Sequence, residues 1–192
     1  CGNMRSKFSA SFAGILLTPS EIVPAVLEQE NFGSGLIVLL AGWLNILLSI
    51  LLIAPVSLGA ESVVVSLMMG MMLMSALFLM KVMGIHFFAE LLGGKGSMTG
   101  LFAGLAWSMA PLHLGLPLTF LALGTRLVIL IPVWIILLAW SSRLSVDVIS
   151  RHYSLPQFRS ALSTILPGIF SIMFMMCMAA GSAFLILYRI FP

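Results

Sequence analysis

The stretch "MTGLFAGLAWSMAPLHLGLPLTFLALGTRLVILIPVWIILLAW", Met98 to Trp140, runs for 43 residues with His113 and Arg126 as its only ionisable side chains. A helix needs about 20 apolar residues to cross the hydrocarbon core, so this run holds two spans joined by a short turn. The turn fits either "GLP", Gly115 to Pro117, or "GTR", Gly124 to Arg126. The second choice leaves both Pro111 and Pro117 inside one span, where each removes a backbone hydrogen bond. The reading therefore favours Gly115 to Pro117. Arg126 then lies about two turns inside the following span, roughly 10 Å from its start.

Working outward, the rest of the chain has the same character. It is 61% hydrophobic and 8% charged, with a mean hydropathy of +1.19, whereas a soluble domain carries roughly 25% charged residues. Too few polar side chains remain to coat a globule, which makes this an integral membrane protein and sets nucleic acid aside as a partner despite the +3 charge. Further spans are expected over about 35–54, 62–83 and 161–188, beside 98–114 and 118–142 from the long run. Ahead of them, 6–31 reads as an interfacial segment. In "TPSEIVPAVLEQE", Thr18, Pro19 and Glu21 make a capping box with proline at the first helical position, and Ile22, Val23, Val26 and Leu27 share one face. The expected fold is an all-α polytopic membrane bundle, residues 1–192 forming one domain. Five transmembrane helices follow one or two short amphipathic interfacial helices.

An N-terminus in the cytoplasm puts Arg5, Lys7, Lys81, Lys95, Arg143, Arg151 and Arg159 inside and only Arg126 and Arg189 outside. Lys and Arg concentrate on the cytoplasmic side, so this orientation is expected, with the C-terminus outside. "MRSKF" from Met4 reads as a native start, with Cys1 to Asn3 as a remnant ahead of it and no cleavable signal following. Cys1 and Cys177 form no disulfide framework or zinc spacing.

The motifs point away from catalysis. "AELLGGKGSMTG", Ala89 to Gly100, lacks two requirements of a phosphate loop: Ala89 replaces the first glycine, and Gly96 stands where Ser or Thr must hold magnesium. It reads instead as a turn in which Gly93 or Gly94 ends one helix and Ser97 caps the next. Lys95, Gly96 and Ser97 could together contact a lipid headgroup. His86 and Glu90, four residues apart, read as an ion pair at the rim rather than a metal site. Gly100, Gly104 and Ser108 form a small-residue face for close helix packing. The Met-rich tracts "LMMGMMLM" and "SIMFMMCMAA" read as adaptable packing surface, with a homo-oligomer interface as the sharper option. Arg126 either snorkels outward or meets Glu61, which precedes the second span on the same side. No catalytic residue, metal ligand or cofactor-binding residue is expected.

The order "LLTPSEIVPAV", "HFFAELLGGKGSMTGLFAGLAWSMAPL", "SSRLSVDVISRHYSLPQFRSAL" resembles the Yip-one family of Ypt/Rab-GTPase-interacting membrane proteins over nearly the whole chain. Gly93, Gly94, Gly96 and Ser97 match its glycine turn, Pro111 the proline ending the small-residue stretch, and His152 and Ser154 its His-x-Ser element. The resemblance implies five spans and a noncatalytic, partner-binding protein. The compact prokaryotic members, some associated with export machinery, are the nearest in form. The expected role is a membrane organiser or an assembly or trafficking partner of other membrane proteins in a prokaryotic cytoplasmic membrane, in contact with its lipids. The alternative is a small transporter or lipid-handling protein with a polar site between helices, suggested by Arg126, His113 and the broken third span.

Overall fold

The computed structural model describes residues 14–17, 23–24, 32–53, 59–123 and 130–169. Among them the ordered elements are helices, and none is a strand. We number them α1 (Phe32–Ile53), α2 (Ala60–Leu91), α3 (Met98–Ser108), α4 (Gly115–Leu123) and α5 (Leu130–His152), followed by α6 over 157–169; a 3-10 turn, Ala110–Leu114, joins α3 to α4. Among the described residues, four stretches are long and apolar enough to cross a membrane: Phe32–Ile53, Glu61–Leu91, Met98–Ala122 and Leu130–His152. Of the expected span 161–188, residues up to 169 are described and helical.

Close approaches fix the directions of the helices. A β-carbon built on Gly35 would stand 3.0 Å from Ala103 Cα, and one on Gly42 would stand 3.3 Å from the His113 ring, so α1 runs parallel to α3–α4. Gly70 meets Leu47, and Trp43 meets Phe78 edge-on, so α2 runs antiparallel to α1. Ser108 lies 2.8 Å from Ser145, Oγ to Oγ, and Gly115 lies under Trp134, so α5 returns antiparallel to the third span. Leu39, Trp43, Phe78, Ile85, Phe102 and Ile149 fill the main core among these helices.

The chain does not reverse at Gly115 to Pro117, which corrects the expected division of the long run. The third span continues through a 3-10 turn to Ala122, and α5 begins at Leu130. Arg126, expected about two turns inside the following span, lies outside the described residues. The expectation counted the hydrogen bonds that proline removes but had no donor to replace them. Pro117 cannot donate to the carbonyl of His113, four residues earlier. Asn45 of α1 does so instead: its Nδ2 donates to His113 O at 3.1 Å, while its Oδ1 accepts from Leu116 N at 2.8 Å.

Two helices also outrun the spans expected for them. α2 continues past 83 to Leu91 and ends at the Gly93 turn, as the reading of Gly93 or Gly94 as a helix end implies, and α5 continues past 142 to His152, leaving only a short turn before α6. α2 has 32 residues, about 48 Å of helix at 1.5 Å per residue, against about 30 Å of hydrocarbon. Ala60 to Lys81 covers about 33 Å of that. With Ala60 set at one edge of the hydrocarbon, the turns carrying His86 and Glu90 extend past the other edge, where they form a platform with the end of α5 and the start of α6.

The Met-rich tract of α2 faces outward rather than packing within the bundle, with Met72 74% exposed. The second Met-rich tract lies outside the described residues. Of the expected interfacial segment, 14–17 and 23–24 are described and helical. Ile15 is buried against Trp107, Ala110 and Leu144, and with Val23 it borders a cavity of about 10 Å³ beside Gly104 and Ser108.

Candidate functional site at the motif end of the bundle

Both helices that reach the platform end in the same way. At the end of α2, Gly93 has φ +92°, its N–H donates to Glu90 O, and Gly94 N–H donates to Ala89 O. At the end of α5, Ser154 has φ +53°, its N–H donates to Arg151 O, and Leu155 N–H donates to Ser150 O. This pair of bonds around a left-handed residue is the Schellman motif. It spends the Gly93 and Gly94 amides on closing α2, so they do not form a phosphate cradle. Ser97 then caps α3, accepting from Gly100 N at 3.1 Å.

Serine pays a steric cost in the left-handed region that glycine avoids. Ser154→Gly should therefore raise the unfolding free energy by roughly 0.5–1 kcal/mol, read as a higher melting temperature in detergent. An unchanged or lower value would show that the strain is absent.

The two turns interlock. A β-carbon on Gly94 would stand 2.8 Å from Tyr153 Cβ, and one on Gly96 2.8 Å from His152 Cδ2, so glycine lets the turns meet face to face. His152 Nε2–H donates to Ser97 O at 2.8 Å. Tyr153 is 1% exposed, and its hydroxyl bonds His86 Nδ1. Nε2 of that ring lies 3.5 Å from Glu90 Oε1. Burial raises the Tyr153 hydroxyl above its ordinary pKa, and the Glu90 charge adds to the shift. Arg159 of α6 donates to Leu92 O at 3.2 Å.

Gly93, Gly94, Gly96, Ser97, His152 and Ser154 thus gather at one end, together with exposed Lys95. Pro111 is buried within the 3-10 turn, away from them. Glu61 is exposed at the opposite end of α2, and Arg126, its expected partner, is outside the described residues. His86 and Glu90 do share a helix face. Sequence reasoning missed Tyr153, which completes their network, and Asn45. A lone asparagine in the apolar run "GWLNILLS" was the available signal.

A family model for the Yip1 domain matches residues 13–179. No curated protein and no solved structure matches the chain. With a match over most of its length and apolar helices built to cross a bilayer, this chain is an integral membrane protein of the Yip1 domain family.

Proposed function

We propose that the protein is a noncatalytic organiser that assembles or positions other membrane proteins, with the motif end as its working surface. The observation that carries this reading is where its polar groups are spent. Within the spans, Asn45 repairs the helix break, and the Ser108 and Ser145 hydroxyls meet each other. The cavity beside Ser108 is at the lower limit for a single water. The networked titratable groups His86, Glu90, His152 and Tyr153 gather instead at the motif end. This distribution suits a scaffold better than a permeation path.

Lys81 and Arg143 near the membrane boundary, with Lys95, Arg151 and Arg159 beyond it, favour a platform facing the cytoplasm. Lys95, Gly96 and Ser97 are the expected contacts for any headgroup that reaches it. A photocrosslinking side chain at Met72, in the outward face of α2, should capture a small, reproducible set of membrane proteins in native membranes. A cysteine at Lys95 should label only from the cytoplasmic side. Lipid adducts alone at Met72, together with solute flux in reconstituted vesicles, would favour the transporter reading instead.

A further inference from the structure

The platform carries large apolar side chains on its exposed surface. Phe87 and Leu91, one helical turn apart near the end of α2, are 61% and 69% exposed, and Phe158 at the start of α6 is 78% exposed. With Lys81 at the edge of the hydrocarbon, Leu91 lies ten residues beyond it, about 15 Å further along the helix. The headgroup layer adds only about 5–8 Å on each side of the hydrocarbon. A helix tilt of about 20° shortens the projection by less than a tenth. Lipid tails at that depth do not cover Leu91 in a flat bilayer, and large apolar groups left in water mark an interaction site.

The charge around these side chains is mostly positive. The Arg159 bond to Leu92 O brings α6 against the end of α2, with Phe158 adjoining it in sequence. Lys95 and Arg151 are exposed on the two turns beside it. Of the acidic groups nearby, Glu90 is exposed but lies 3.5 Å from the His86 ring, and Asp147 is half-buried one turn before Arg151. We infer that Phe87, Leu91 and Phe158, flanked by Lys95, Arg151 and Arg159, form a docking surface for an acidic amphipathic helix of a partner protein. Its apolar face covers the aromatic and leucine side chains while its carboxylates meet the cations, the helix-in-groove mode of recognition. The inference rests on the partner-binding reading and names the chemistry of the partner.

The test uses the full chain in nanodiscs of neutral phosphatidylcholine. The probes are a labelled amphipathic peptide with Leu and Phe on one face and Glu on the other, its Lys-bearing counterpart, and anionic phosphatidylglycerol vesicles. The acidic peptide should bind at least about tenfold more tightly than the basic one, a difference of about 1.4 kcal/mol. Raised salt should weaken it. Lys95→Glu with Arg151→Glu should weaken it about tenfold, and so should Phe158→Ser; all three positions are exposed, and the melting temperature checks that each variant folds. Arg159 is left in place because it holds Leu92 O. Equal binding of the two peptides, no binding of either, or Lys95-dependent binding of the vesicles in place of the peptide overturns the inference. If peptide binding fails while Met72 still captures membrane proteins, the organiser reading stands without this surface; if both fail, both fall.

Discussion

Asn45→Leu should be among the most damaging single substitutions within the spans, although it makes a transmembrane helix more apolar. Asn45 supplies the donor that Pro117 denies to His113 O and the acceptor for Leu116 N. Leucine leaves both backbone groups without partners at a depth where no water replaces them. Leaving a buried polar group unsatisfied costs about 1–3 kcal/mol, while interhelical side-chain bonds in membranes average nearer 0.6. Two orphaned backbone groups place the expected loss at about 2 kcal/mol or more, measured by denaturant titration in detergent. Pro117→Ala restores an N–H within reach of His113 O, so the double variant should recover about 1 kcal/mol relative to Asn45→Leu alone. A leucine variant within about 0.5 kcal/mol of the parent would show that the asparagine is dispensable.

Gly94→Ala should cost about 1–3 kcal/mol, the usual range for overpacking. The new methyl would stand 2.8 Å from Tyr153 Cβ, 2.9 Å from Tyr153 Cδ1 and 3.0 Å from Ala89 O. None of these is the free end of a flexible side chain, so the two turns must part, and the Tyr153 hydroxyl leaves His86. Gly70→Ala is the matched control. Its methyl meets Leu47 Cδ2 at 2.9 Å, a terminal atom that can rotate away, while alanine gains about 0.5–1 kcal/mol of helix preference. Amide hydrogen exchange at residues 92–97 should accelerate in the Gly94 variant and stay unchanged in the Gly70 variant. Equal behaviour of the two would mean that the interlock is not tight.

Local chemistry was legible, and long-range chemistry was not. Gly93 as a helix end and Ser97 as a cap follow from φ freedom and hydroxyl geometry, which a short window of sequence contains. The His86 and Glu90 pairing follows from helical spacing alone. The expected end of the second span, at 83, did not mark the end of its helix, which "GIHFFAELL" carries on to the Gly93 turn. Hydropathy reports where lipid stops, not where the helix stops. The turn in the long run was misplaced for a different reason. Two prolines looked prohibitive in one span because the group that satisfies the broken backbone belongs to α1, about seventy residues upstream. Likewise Tyr153 looked like one more turn residue until the other turn was laid against it.

The Asn45 bridge also bears on the order in which the chain enters the membrane. The asparagine is made 68 residues before His113, so α1 has emerged from the ribosome and can be inserted before the third span is complete. Until α1 is beside it, the third span would have to enter lipid with an unanswered carbonyl and amide at its break, which hydrocarbon strongly opposes. Synthesis from the N-terminus supplies the patch ahead of the defect. A chain rearranged so that the third span is made first would present the break before its repair, and insertion rather than folding would become the step that fails.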